Sequence, residues 1–258
     1  MEPKKNTESP KVSVIVNCYN GSEFLKECIG SVVSQDYENW ELIFWDNNSD
    51  DDSVLIANSF RDKRIKIYKS ENHTLLYEAR NSALQYAKGD LVCFLDVDDF
   101  WHVKKLSRQI LLHKNGVMAS CSSYVVINEF GNRLISQPPR FKGKIVSIKD
   151  LLKSNVISIG TVCLDSEILN EHKFREDLNL IGDFEFWLRI CSNYKIAYID
   201  EVLEFSRQHQ TNTSKVHLKR WIHEKRKLYF LILKSSWKAK TFRGLYYILK
   251  SEVSAIID

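Results

Sequence analysis

From Lys11 to Val16 the chain is a near-continuous β-branched run that ends at Asn17-Cys18-Tyr19-Asn20-Gly21, the pattern of a strand and its turn. Ser22 to Val33 then places Phe24, Leu25, Cys28, Ile29, Val32 and Val33 at three- and four-residue spacing. That spacing predicts an amphipathic helix with Ser22 as its N-cap. Trp40 to Trp45 predicts a second strand, which runs into Asp46-Asn47-Asn48-Ser49-Asp50-Asp51-Asp52, and Val54, Leu55, Ala57 and Phe60 mark another helix. Arg64 to Tyr68 alternates as a short strand, and Leu75 to Ala87 reads as a helix stopped by Gly89. Leu91 to Leu95 is a fully apolar strand that enters Asp96-Val97-Asp98-Asp99. Apolar strands alternating with helices imply an α/β fold with a mostly parallel sheet covered on both faces. Ligands of such sheets bind beyond the carboxyl ends of the strands. The loops at Asn17, Asp46 and Asp96 are therefore expected to share one edge.

The second half is less regular. Val103 to Leu112 predicts a basic helix, and Met118 to Asn128 and Arg133 to Ser136 predict strands around Glu129-Phe130-Gly131-Asn132. Ile148 to Leu152 reads as a short helix, Ile157 to Leu164 as a strand, Gly182 to Cys191 as a helix and Lys195 to Phe205 as extended chain. From Lys215 onward the chain is helical and basic in pattern. This divides it into a flexible start over 1–10, one α/β domain over 11–210 and an amphipathic helical tail over 211–258.

Charge sharpens that division. From Ser214 to Asp258 there are eleven Lys or Arg against three acids, a surplus of eight, so a net charge of +4 leaves the rest of the chain four charges negative. In the tail, Trp221, Ile222, Leu228, Tyr229, Leu231, Ile232, Trp237, Phe242 and Tyr246 interleave with the cations. A helix on an anionic membrane surface has this composition, as does a helix whose apolar face packs on its own domain. Nucleic acid is not an expected partner, because the body is acidic and no recognition motif accompanies the tail. The six cysteines are widely spaced without a C-x-x-C pair, which gives no support to a zinc site and fits buried thiols in a reducing compartment. No apolar run approaches the roughly 20 residues of a membrane span, and no apolar segment of signal-peptide type follows the polar start.

Three carboxylates within Asp96-Val97-Asp98-Asp99 repel one another unless a cation sits among them, and all-oxygen ligands favour Mg²⁺ or Mn²⁺. The plain alternative is an acidic helix start. Asp46–Asp52 is as acidic but is no calcium loop, since Asp51 stands where glycine is required and Ala57 where the bidentate glutamate belongs. Asp46, first after its strand, is best placed to meet a ligand. Arg80 offers a fork of donors suited to a diphosphate. In Gly182-Asp183-Phe184-Glu185-Phe186-Trp187-Leu188-Arg189, Asp183 and Glu185 point about 200° apart on a helix, so one can face a cleft while Glu185 pairs with Arg189. The histidines show no paired metal spacing.

Read together, Val14-Ile15-Val16-Asn17-Cys18-Tyr19-Asn20, Trp40-Glu41-Leu42-Ile43-Phe44-Trp45-Asp46, Ala79-Arg80-Asn81, Gly89-Asp90, Phe94-Leu95-Asp96-Val97-Asp98-Asp99 and Asp183-Phe184-Glu185-Phe186-Trp187 resemble the family 2 glycosyltransferases, inverting sugar-nucleotide enzymes of the GT-A fold. The resemblance implies a metal-dependent, inverting transfer of one sugar from a nucleotide-diphosphate sugar, UDP above all, to a hydroxyl of a saccharide or lipid-linked saccharide in bacterial surface-glycan assembly. It implies that Asn17, Tyr19, Asn20 and Asp46 hold base and ribose. Arg80 would lie near base or diphosphate, and Asp96 near the ribose. By the same resemblance Asp98 is the first choice of metal ligand, with Asp96 and Asp99 also available. Asp183 would be the catalytic base, and His209 would close over the metal or diphosphate. A cytoplasmic location, peripheral at the inner membrane face, would suit such an acceptor; the oligomeric state is left open. Three positions depart from the family pattern. Asn17 stands for the usual proline, Thr74-Leu75-Leu76-Tyr77-Glu78 lacks a glycine, and Gly182 replaces an acid before Asp183. A nucleotidyltransferase and a non-catalytic sugar-nucleotide binder are the alternatives; the first would want a Gly-rich phosphate loop, which is absent after the first strand.

Overall fold

The computed structural model describes residues 9–134, 141, 143–153, 157–209 and 218–234. Its strands are β1 (Val12–Cys18), β2 (Trp40–Asp46), β3 (Ile65–Lys69), β4 (Leu91–Phe94), β5 (Phe100–Trp101), β6 (Ala119–Asn128), β7 (Ile145–Val146), β8 (Cys163–Asp165) and β9 (Ile196–Gln208). The helices are α1 (Ser22–Val33), α2 (Ser53–Ser59), α3 (Leu76–Leu84), α4 (Lys105–Lys114), α5 (Ile148–Lys153), α6 (Ser166–Glu171), α7 (Gly182–Asn193) and α8 (Leu218–Lys234).

Among the described residues the nine strands form one sheet in the order β3-β2-β1-β4-β8-β6-β9-β5, with β7 beside β9. The first four in that order are parallel, and their register sets Cys18 opposite Asp46 and Ile15 opposite Phe94. The three acidic or amide-rich loops therefore leave the sheet at one edge, as the alternation of strands and helices predicts. Beyond β4 the sheet becomes mixed. β8 runs antiparallel to both β4 and β6, while β6 and β9 are parallel with a register shift at Ser122–Tyr124.

Period-two alternation divides the core. Val14 and Val16 join Leu25, Ile29 and Phe44 under α1, whereas Ile15 joins Phe94, Tyr77, Phe186 and Trp187 under α3 and α7. At roughly 25 cal/mol per Å² of apolar area, these two layers supply the main drive for folding.

Several local expectations change. Ser22 is not a cap: it is the first helical residue, and Asp51 of the neighbouring loop accepts its N–H at 2.9 Å. Gly89 stops no helix, since α3 ends at Leu84. A Cβ there would lie 2.5 Å from the backbone nitrogen of Ser13, so close backbone approach requires the glycine. Ile157 to Leu164 is a 3₁₀ turn at Ile159–Thr161 leading into short β8, not one strand. Arg133 forms a single bridge with Ile127, and Ser136 lies outside the described residues. So do residues 1–8, 210–217 and 235–258, hence much of the expected tail. Within α8, Leu228 and Ile232 are buried in the core cluster and Phe230 is exposed. Among the described residues no helix is long and apolar enough to cross a membrane.

Candidate active site

At the carboxyl end of β1 the side-chain nitrogen of Asn17 is buried without a hydrogen-bond partner among the described residues. Such an orphan donor at a strand end suits a polar ligand. Tyr19, 51% exposed, lies against His73 with ring centroids 3.9 Å apart. Asn47 fixes the segment that carries His73, donating to the Thr74 carbonyl at 2.8 Å. Asn20 takes a left-handed backbone (φ 50°), which asparagine tolerates, and ties the two loops together. Its oxygen accepts from Asp50 N at 3.0 Å, and its own N–H donates to Ser49 Oγ at 3.0 Å. Asp46 is fully buried, accepts from Ser49 N at 3.1 Å and has Lys69 Nζ at 3.8 Å.

The loop after β4 separates its three acids. Asp96 receives Arg80 Nη2 at 2.5 Å; Arg80 is only 3% exposed, and Asp96 keeps its guanidinium firmly protonated against the cost of burial. Asp98 Oδ2 lies 3.0 Å from His209 Nε2, and burial together with the charge of Asp96 raises its pKa. Asp99 is buried, accepts from Arg207 N at 2.7 Å and meets Glu204 inside the fold. Burial, with the charges of Asp98 and Glu204, lifts Asp99 well above the ordinary carboxylate range. Glu204 is likewise pushed up by burial, to about 7. Arg207 braces the loop from behind, donating to the Asp98 and Glu129 carbonyls at 3.0 Å each, pairing with Glu27 and covering the Phe24 ring.

Asp183 opens α7, half-buried, with its pKa raised by burial and held back by the charge of Arg80. The Tyr77 hydroxyl accepts Asp183 N at 2.9 Å and lies 3.3 Å from Asp183 Oδ1. Phe184 N donates to the same oxygen at 2.7 Å. Gly182 is explained by the same neighbour, because a Cβ there would sit 2.5 Å from the Tyr77 ring. Glu185 turns the other way into its pair with Arg189 at 2.9 Å, as helical spacing predicts. From α8, Glu224 accepts the N–H groups of Asn179, Leu180 and Ile181 at 2.8–3.3 Å, fixing the segment that enters α7.

The structure thus links Asp96, Arg80, Tyr77 and Asp183 through contacts, sets Asp98 against His209, and gives Asp99 and Asn20 internal partners. Tyr77, His73, Glu204 and Glu224 are not among the site residues expected from the sequence. Each gains its place from a tertiary contact, and only the missing side chain at Gly182 hinted at a bulky neighbour. Among the described residues no three His, Cys, Asp or Glu side chains form a metal cage. Asp98 and His209 nevertheless fit a divalent cation that draws its remaining ligands from phosphate and water, the usual way Mg²⁺ is held.

Parallel strands with Asp46 and Asp96 at their carboxyl ends, and Asp183 joined to Asp96 through Tyr77 and Arg80, form a candidate site on an open α/β sheet of GT-A type. The sequence model described as Glycosyl transferase family 2 matches residues 13–169, and the chain belongs to that family. It is 34% identical over 193 residues, 73% of each chain, to the Escherichia coli UDP-Glc:alpha-D-GlcNAc-diphosphoundecaprenol beta-1,3-glucosyltransferase WfgD. Its fold is similar to residues 1–349 of S. aureus TarS in complex with UDP-GlcNAc (TM-score 0.76, 21% identity, 95% of this chain and 72% of that one). It is also similar to the mannosyltransferase PcManGT from Pyrobaculum calidifontis in complex with GDP-Man and Mn²⁺ (TM-score 0.70, 17% identity, 97% of this chain and 75% of that one).

Proposed function

We propose that the chain transfers a single sugar from a UDP-sugar to a hydroxyl of a lipid-linked, GlcNAc-diphosphate saccharide, inverting the anomeric centre, at the cytoplasmic face of a membrane. The WfgD likeness supports the donor and acceptor classes, and the positive surplus of residues 214–258 supports an anionic membrane surface. Asn17, Tyr19, Asn20 and Asp46 border the base and ribose position, with Asp96 near the ribose, and Arg80 lies near the base or diphosphate. Asp98 and His209, with Asp96 adjacent, hold Mg²⁺ or Mn²⁺; Asp99 supports them from inside. When bound, the cation supplies neutralisation of the charge that gathers on the leaving diphosphate.

The observation that carries the reading is the state of Asp183. Its Oδ1 is held by two donors, and no protein donor reaches Oδ2 among the described residues. A carboxylate so placed can take the proton of the attacking hydroxyl, a contribution of roughly 10²–10⁴ in rate. One displacement from the face opposite the diphosphate then inverts the sugar carbon without a covalent intermediate.

With UDP-glucose and a synthetic GlcNAc-diphospholipid, Asp183→Asn is expected to lower turnover by about 10³-fold while UDP affinity, measured by calorimetry, stays near the parent value. The anomeric configuration of the parent enzyme's product, read by NMR, checks inversion. Near-normal turnover by the variant would remove Asp183 as the base.

A further inference from the structure

Among the described residues, one side chain hydrogen-bonds both the backbone and the carboxylate of Asp183. Tyr77 lies on α3, is 2% exposed and packs its ring on Phe174 with centroids 5.6 Å apart. Its hydroxyl is the acceptor for Asp183 N at 2.9 Å, which leaves its own proton to be directed elsewhere. The acceptor in reach is Asp183 Oδ1 at 3.3 Å, a long contact for an O–H donor and typical of a site before substrate tightens it. Phe184 N closes on that oxygen at 2.7 Å from the other side. The ring comes so near the chain that residue 182 has no room for a Cβ. Ring and helix start are therefore locked together, and the phenol is aimed at one carboxylate oxygen.

We propose that Tyr77 is a positioning residue that reserves Asp183 Oδ1 for internal hydrogen bonds and so selects Oδ2 as the atom that accepts the proton from the acceptor hydroxyl. This rests on Asp183 being the base. A carboxylate free to rotate would offer either oxygen and spend part of its time facing inward. Tyr77 and Phe184 N hold one rotamer, and Gly182 lets the phenol approach closely enough to do so. Besides the Phe184 N–H, the side chains that act on Asp183 include Tyr77 and Arg80 from α3, Asp96 from the loop after β4 and Tyr124 from β6. Of these side chains, only Tyr77 is hydrogen-bonded to it.

The decisive variant is Tyr77→Phe, which keeps the ring, its stacking and its burial and removes one oxygen. In the UDP-glucose and GlcNAc-diphospholipid assay, kcat is expected to fall roughly 10- to 100-fold, the worth of a hydrogen bond to a charged group expressed as a rate. Calorimetric UDP affinity should stay within about twofold, since the donor contacts are untouched. The acid limb of the kcat–pH profile should move to higher pH, because the lost donor favoured the ionised carboxylate while burial still opposes it. A role in packing alone would leave that limb in place. Parent-like kcat and pH profile in Tyr77→Phe, alongside an inactive Asp183→Asn, would overturn the inference and leave the base assignment standing. An active Asp183→Asn would remove both. Equal losses of UDP affinity and turnover in Tyr77→Phe would assign the phenol to the donor site and overturn the inference as well.

Discussion

The loops after β2 and β4 are similarly rich in aspartate, and the fold treats their charges in opposite ways. In the first, carboxylates are answered by backbone N–H groups: Asp46 accepts from Ser49, and Asp51 from Ser22 and Ser53. Burial works against Asp51, yet the hydrogen bonds from Ser53 and Ser22 bring its pKa down to about 2. In the second, burial and mutual repulsion raise Asp98 and Asp99, while Asp96 pairs with the guanidinium of Arg80. An acidic loop neutralised by peptide dipoles gains little from a cation; one whose carboxyls raise each other gains much. Composition alone cannot separate the two cases, because the deciding donors come from the backbone and from distant strands.

The largest contrast should appear in metal response. Asp98→Ala is expected to lower turnover by at least about 10²-fold and to abolish the rise of activity along an Mn²⁺ titration started from EDTA-treated protein. Full activity of the parent protein in EDTA would place both loops in the same structural class.

Next comes the acid pair under the second loop. Glu204 has a folded pKa near 7, above its unfolded value, so its contribution is complete below the unfolded value and is lost as pH rises through about 7. Urea unfolding of the parent should therefore weaken by on the order of 2 kcal/mol between about pH 5 and about pH 8, and Glu204→Gln should flatten that slope. An equally steep decline in the variant would show that another group is responsible.

The smallest effect belongs to the first loop. Asp51→Ala removes a cap from α1 and should cost about 1 kcal/mol in thermal or urea unfolding, with the Mn²⁺ response intact. The sign with pH is reversed here. The Asp51 pKa is depressed, so its stabilisation is present at neutral pH and fades as pH falls from about 4 to about 2. Loss of Mn²⁺ response in this variant would break the contrast between the loops.

How far the sequence reaches follows the range of the interactions involved. α1, β1, β2, β4 and α7 are legible because their apolar periods are long and their loops bear acids or amides. β5 and β7 have two residues each, too short for a period to register, and the turn at Ile159–Thr161 interrupts what reads as one apolar strand. Glycines mislead when their reason is spatial: Gly89 makes way for another backbone and Gly182 for an aromatic ring. Of the candidate site, Asp96, Asp98, Asp183 and Arg80 are visible as residue types in a pattern. The inward turn of Asp99 and the contacts of Tyr77 and Glu204 depend on partners about 100 residues away, 105 from Asp99 to Glu204 and 106 from Tyr77 to Asp183.

The carboxylate of Glu224 ties α8 to the start of α7. By gripping three consecutive amides just ahead of α7, it couples the last described element to the residue that would deprotonate the acceptor. Cutting the chain before residue 224 would trim more than a tail, and any force exerted on that helix would arrive at the turn that carries Asp183 with little slack to absorb it.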